Sequence, residues 1–217
     1  MTVTEQPVET ERLLAVEQAI EAFAEGGFVV IHGEESRENE GDLVVAAEHT
    51  HEDALRQMLD HTSGVVCVAL PHDRAGRLAL PQMVEENTGL RETAFTVSVD
   101  LLGPTTTGVC AVDRSRTIQA LADPHTTPEQ LGRPGHVFPV RAVPGGVLER
   151  AERAEAAVDL SLLAGLSGVT TMCEVVTADW SVACHGDLSR LAASRLMPMI
   201  SVADLAAYRL ARQALGR

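Results

Sequence analysis

Between two short apolar runs, Phe28-Val29-Val30-Ile31 and Leu43-Val44-Val45-Ala46-Ala47, the chain carries Arg37-Glu38-Asn39-Glu40-Gly41-Asp42, three carboxylates and a guanidinium in six residues. The flanking runs are short, and the first is β-branched with glycine on both sides, as strands are. The fold must therefore present a crowded acidic loop between two strands. Glu34 and Glu35 add further charge, so the loop repels itself unless a cation or a bound ligand offsets it. Gly41 lets the backbone turn tightly and lets a ligand approach closely. An isolated acidic hexapeptide is most often a solvated loop; here the remainder of the chain points to a site.

A length of 217 residues suits one well-packed domain spanning 1–217 and leaves little room for a second. With 45% apolar but only 3% aromatic residues, the core must be built from Val, Leu, Ala and Ile, which fits an α/β or α+β protein. A formal net charge of −14 argues against nucleic acid as a partner, since phosphate backbones are bound by clustered Lys and Arg. No apolar run approaches the ~20 residues that span a bilayer, and residues 1–11 lack the charge and the apolar segment of a signal peptide. The expected location is cytoplasmic, with no membrane partner. Cys67, Cys110, Cys173 and Cys184 lack zinc-ribbon spacing and read as free buried thiols.

Apolar spacing predicts a first helix over Glu9 to Glu25, ended by Gly26-Gly27. Further along, a helix is expected at Glu52 to Leu59, a strand at Val65 to Leu70 and a short helix at Asp73 to Leu80, stopped by Pro81. Ala94 to Asp100 alternates with period two, as a half-buried strand does. Thr105-Thr106-Thr107-Gly108 forms a hydroxyl-rich turn before a helix from Asp113 to Ala122, either an anion site or a plain cap. Pro124 to Gly135 reads as a turn-rich surface connection, and His136 to Val140 as an apolar stretch with a histidine at its entrance. Glu149 to Leu163 is strongly helix-forming. Val169 to Val176 is a strand in which Glu174 must be paired or functional, given its apolar neighbours. Asp187 to Leu196 and Val202 to Leu215 close the chain as helices, the second capped by Ser201.

Several segments, in order, resemble the 3,4-dihydroxy-2-butanone 4-phosphate synthase family: the acidic loop itself, Ser63 to Leu70, Phe95 to Asp100, Thr106 to Arg114, Arg133 to Pro139, and Cys173-Glu174. The resemblance runs from the first helix to the last. It implies a mixed α+β fold, a mixed sheet flanked by helices. It further implies conversion of ribulose 5-phosphate to 3,4-dihydroxy-2-butanone 4-phosphate and formate in riboflavin biosynthesis. The agents would be magnesium (or manganese), no organic cofactor, and a homodimer with active sites at the interface. By the same resemblance Glu38 is a metal ligand and contacts substrate, and Arg37 and Asp42 contact the sugar phosphate. His136, Glu174 and Asp42 form the catalytic set, with Cys67 lining the pocket beside them and Thr107 helping to hold the phosphate.

One segment departs from the family pattern. After Gly145-Gly146-Val147-Leu148 the family reads Arg-x-Gly-His-Thr-Glu-Ala, whereas this chain reads Arg150-Ala151-Glu152-Arg153-Ala154-Glu155-Ala156. Arg150, Glu155 and Ala156 hold the register, so Arg153 stands where the family has its metal-binding histidine. Arginine has no lone pair to offer a metal. Three readings follow. The family reaction persists, with Glu38, water and Glu152 completing a weakened metal shell, although Glu152 and Arg153 diverge by about 100° if both are helical. Alternatively, the enzyme acts without metal on a related phosphorylated or acidic substrate, gripped by Arg150 and Arg153 as an i,i+3 pair. Third, the protein is a non-catalytic partner of an active paralogue.

Overall fold

The two apolar runs flanking the acidic loop pair with each other. In a computed structural model that describes residues 5–33 and 40–215, Val29–His32 (β1) and Gly41–Ala46 (β2) are antiparallel, with Val29 opposite Val44 and His32 opposite Gly41. Arg37 and Glu38 lie outside the described residues. The other strands are Cys67–Leu70 (β3), Val99–Leu101 (β4), Leu131–Arg141 (β5), Thr170–Glu174 (β6) and Met199–Ser201 (β7). They form one sheet in the order β4-β5-β3-β6-β2-β1-β7. β7 runs parallel to β1 and β5 parallel to β3, while the remaining neighbours are antiparallel. The sheet is mixed, as the sequence predicts.

Strand alternation sorts the core into two layers. Val30, Leu43, Val45, Val68 and Leu70 face one side. There they meet Glu52–Leu59 (α2), Ala111–Ala122 (α4) and His185–Arg195 (α6) through Leu55, Met58, Ile118, Leu121 and Leu188. Val29, Ile31, Val44, Ala46 and Ala69 face the other side. That side is covered by Glu5–Ala24 (α1), Arg153–Leu163 (α5) and Val202–Ala214 (α7), through Phe23, Leu160 and Leu205. A short helix, His72–Arg77 (α3), follows β3. Each fully buried Phe or Leu stabilises the fold by roughly 1.5–3 kcal/mol, so both layers are needed. Among the described residues no helix is long and apolar enough to cross a membrane.

Four expectations change. The strand predicted over 94–100 shrinks to β4, because Thr96 N donates to Pro139 O while Val97 N donates to Pro81 O, so the segment switches partners along its length. The predicted surface connection is partly strand. β5 starts at Leu131, and Gly135 fits there because a Cβ would lie 2.0 Å from the carbonyl carbon of Val99. Helix α5 starts at Arg153, with Glu152 extended as its N-cap. The preceding turn is instead tied down by Val147 N donating to Asp159 Oδ2 at 2.8 Å and Val143 N donating to Glu155 Oε1 at 3.1 Å. Finally, the four thiols are free, but only Cys173 is buried; Cys110 and Cys184 are exposed at the N-caps of α4 and α6. Short β7 carries no sequence signal strong enough to predict.

Candidate active site

Asp42 and Glu174 are cross-strand neighbours at the ends of β2 and β6. Period two puts both on the side of the sheet that holds Val44 and Met172, the face covered by α5. Cys67, opposite Met172, joins them from β3. Gly41, next to Asp42, serves packing rather than a turn: it belongs to β2, and a Cβ there would lie 2.6 Å from Leu188 Cδ1.

Over this strand end, α5 delivers its first residue. Arg153 Nη2 lies 3.0 Å from Glu40 Oε2 and 3.3 Å from Glu174 Oε1, and its Nε lies 3.1 Å from Asp42 Oδ2. Glu40 turns its other oxygen to Arg91 Nη2 at 2.8 Å. Of the carboxylates in the acidic segment, Glu40 and Asp42 are thus offset by guanidinium groups. Burial opposes the charge on Arg153, yet the fields of Asp42, Glu174 and Glu40 outweigh it and push its pKa above the ordinary value. Burial raises the pKa of Asp42, with Arg153 acting in the opposite sense. Among the described residues Asp42 Oδ2 and Arg153 Nη1 are buried without a hydrogen-bond partner, so the Nε–Oδ2 contact is one of charge rather than of aligned hydrogen bonding. Burial, reinforced by Asp42, drives the Cys67 thiol far above its usual range. It remains a neutral wall group, not a thiolate nucleophile.

These side chains line a cavity of about 410 Å³, together with Arg91, Phe95, Val140, Arg150, Glu152 and Ala154, a size that suits a small ligand. Of the residues singled out by sequence, Asp42, Cys67, Glu174, Arg150 and Arg153 meet here. Arg150 and Arg153 do not form the expected i,i+3 grip. Arg150 precedes the helix, and its Nη2 donates to the carbonyls of Arg91 and Glu92 at 3.2 and 3.4 Å. Because Glu152 is extended rather than helical, the helical divergence expected between it and Arg153 does not apply, and both reach the cavity. Glu40 and Arg91 were not assigned from sequence. Glu40 stood in plain view within the acidic hexapeptide, whereas Arg91 sits in a segment without periodicity.

His136 and Thr107 stand apart from the cavity lining. His136 belongs to the face of β5 that carries Val140, roughly 13 Å further along the strand. Its Nδ1 is 2.7 Å from Asp100 Oδ2, and its backbone N donates to Asp100 Oδ1 at 2.9 Å. Gly108, at φ +84, packs directly on that carboxylate. The hydroxyl-rich turn is closed on Asp113: Thr106 N, Thr106 Oγ1 and Gly108 N all donate to its Oδ2, at 2.9, 2.7 and 3.1 Å. The hydroxyl of Thr106 leads these effects, which lower the Asp113 pKa to about 2. The Thr106 and Gly108 donors are thus engaged by Asp113, while Cys110 caps α4 and Thr107 is exposed.

The family model described as 3,4-dihydroxy-2-butanone 4-phosphate synthase matches residues 17–208. The chain is 44% identical over 195 residues to the 3,4-dihydroxy-2-butanone 4-phosphate synthase of Proteus mirabilis, covering 90% of each. It is 43% identical over 209 residues to the riboflavin biosynthesis protein RibBA of Porphyromonas gingivalis, covering 96% of this chain and 52% of that protein. The chain thus spans about half the length of RibBA relatives. A crystal structure of 3,4-dihydroxy-2-butanone 4-phosphate synthase in complex with two magnesium ions superposes with a TM-score of 0.86 at 38% identity, covering 89% of this chain and 95% of that one. A cation-free form superposes at 0.84 and 36%, covering 91% and 98%.

Proposed function

The chain belongs to the 3,4-dihydroxy-2-butanone 4-phosphate synthase family, and from that premise we propose that it converts ribulose 5-phosphate to 3,4-dihydroxy-2-butanone 4-phosphate and formate. This is a carbon–carbon lyase step of riboflavin biosynthesis. The proposal includes a single domain over 1–217, a cytoplasmic location and a homodimer. The observation that carries it is the pair Asp42 and Glu174, cross-strand neighbours in one cavity under a permanent cation. The atoms balance without a co-reactant, because the five-carbon phosphate equals the four-carbon phosphate plus formate. The reaction needs proton transfer to make an enediol, departure and return of water, and positive charge near the developing oxyanion.

Each requirement has a candidate. Glu174, the more exposed carboxylate, accepts a proton. Asp42, 3.1 Å from Arg153 Nε, is the second acid–base group of the pair. Arg153 offsets negative charge on the sugar oxygens, and Arg150 and Arg91 bring further positive charge for a phosphate. Cys67 shapes the wall. His136 and Thr107, lying outside this cavity, would complete the site of a second subunit in the homodimer. By resemblance alone, Arg37 keeps its expected role at the substrate phosphate and Glu38 its expected contact with substrate.

Magnesium, present in one relative's structure, is the metal that the family implies. Among the described residues no group of three or more His, Cys, Asp or Glu could hold a metal ion. The carboxylates that do converge close on a guanidinium that cannot ligate. The described residues therefore do not fit a divalent ion, and none of the steps above passes through one. Arg153 also favours a second reading, in which the same cavity runs altered, metal-independent chemistry on a related phosphorylated or acidic substrate.

Proton NMR of formate during incubation with ribulose 5-phosphate tests the first reading. Formate should accumulate in step with loss of substrate, and Glu174→Gln should slow it by at least ~100-fold. Absence of formate, alongside turnover of another sugar phosphate or keto acid, would move the assignment to the second reading.

A further inference from the structure

The structure assigns Arg153 a role of its own. We infer that its guanidinium is the resident cation of the carboxylate cluster, occupying the place of a divalent ion, so that the cavity is charged for an oxygen-rich anionic ligand without bound metal. The inference rests on the proposed function for the identity of the site, but not for its test.

Arg153 sits where its own helix does not favour it. It is the first residue of α5, and the positive end of a helix disfavours a cation. What holds it there is tertiary: Glu40, Asp42 and Glu174 reach it from the end of the acidic loop, β2 and β6. A purely solvating arginine would swing outward, since its long side chain keeps its head in water when nothing holds it. This one is 16% exposed. Its charge is permanent, unlike that of a histidine in the same place. A metal ion entering the cluster would have to break three ion-pair contacts and leave a guanidinium behind in a partly dry cavity, and like charges there would oppose its binding.

The neighbouring groups agree. Arg91 holds the second oxygen of Glu40, so no carboxylate arm of Glu40 remains turned to a metal. Arg153 lines the cavity, and a guanidinium there suits the oxygens of a phosphorylated sugar or a keto acid, which it binds by directed N–H groups rather than by coordination.

Manganese(II), followed by loss of the free-ion EPR signal on titration into the full chain, tests this without any turnover. A failure here is therefore distinct from a failure to release formate. Arg153→His should bind manganese at least ~10-fold more tightly than the unchanged protein, and manganese should raise the melting temperature of that variant only. Equal or tighter binding by the unchanged protein would overturn the inference. Should Arg153→His fail to fold, Glu174→Gln decides. If Arg153 is the resident cation, manganese binding is the same with and without Glu174→Gln. If that variant weakens it, metal occupies the cluster and the inference is lost.

Discussion

The Nε of Arg153 lies 3.1 Å from Oδ2 of Asp42, joining the first residue of α5 to the end of β2 across the floor of the cavity. Removing one member of a buried charge cluster leaves the others uncompensated, which typically costs ~3–5 kcal/mol. Arg153→Ala should fall in this range near pH 7 by urea unfolding. The sign with pH follows from the carboxylates. Burial raises the Asp42 carboxyl and Arg153 opposes that rise, so without Arg153 it rises further. Its protonation then relieves its repulsion with Glu40, so the deficit should shrink as the pH falls below 7. A deficit independent of pH would contradict the cluster.

The carboxyl of Asp113 is shifted in the opposite direction. Its folded pKa of about 2 lies below the unfolded value of about 3.9, so its stabilisation is present above pH ~4 and is lost as pH falls from there toward 2. Asp113→Asn should lower the melting temperature at pH 7 and flatten the acid limb of the stability profile between those limits. An acid limb unchanged in the variant would show that the Thr106 and Gly108 donors do not set it.

Arg209 Nη1 is 2.6 Å from Asp159 Oδ2 and donates to Gly145 O at 2.9 Å, fastening α7 to α5 and to the turn that leads into Arg150. Asp159→Ala leaves Val147 N without its acceptor and the guanidinium without its carboxylate partner. A loss of roughly 2–4 kcal/mol is expected, with faster amide exchange at Val147. Exchange at Val147 as slow as in the parent would exclude this anchoring role.

Gly135 is needed for strand packing. With a Cβ 2.0 Å from Val99 C and 2.2 Å from Asp100 N, Gly135→Ala must push β4 from β5, at a cost of at least ~1–3 kcal/mol. The same shift should disturb the His136–Asp100 contact, visible as a changed histidine imidazole resonance. A variant as stable as its parent would refute the close approach.

These residues also mark how far the sequence could be read. Helix α2 falls on the residues predicted, because its periodicity is local, and Ser201 caps α7 by accepting from Asp204 N at 3.0 Å. Gly135 looked like a turn residue because the reason for it, the backbone of Val99 and Asp100, is distant in sequence. An arginine where the resemblance implies a histidine was legible from the register of Arg150, Glu155 and Ala156. Its partners were not: Glu40 and Glu174 converge only once β2 and β6 pair, and Arg91 arrives from a loop. Likewise, helix propensity over 149–163 could not reveal that Asp159 and Glu155 tie down the preceding turn and delay the helix to Arg153.

Crystals grown in manganese chloride and measured at the manganese absorption edge test most directly that a guanidinium stands in the metal's place. The account predicts no anomalous peak within coordination distance of Glu40, Asp42 or Glu174, with guanidinium density bridging the three. An anomalous peak bound to any of these carboxylates, with Arg153 swung out to solvent, would contradict it.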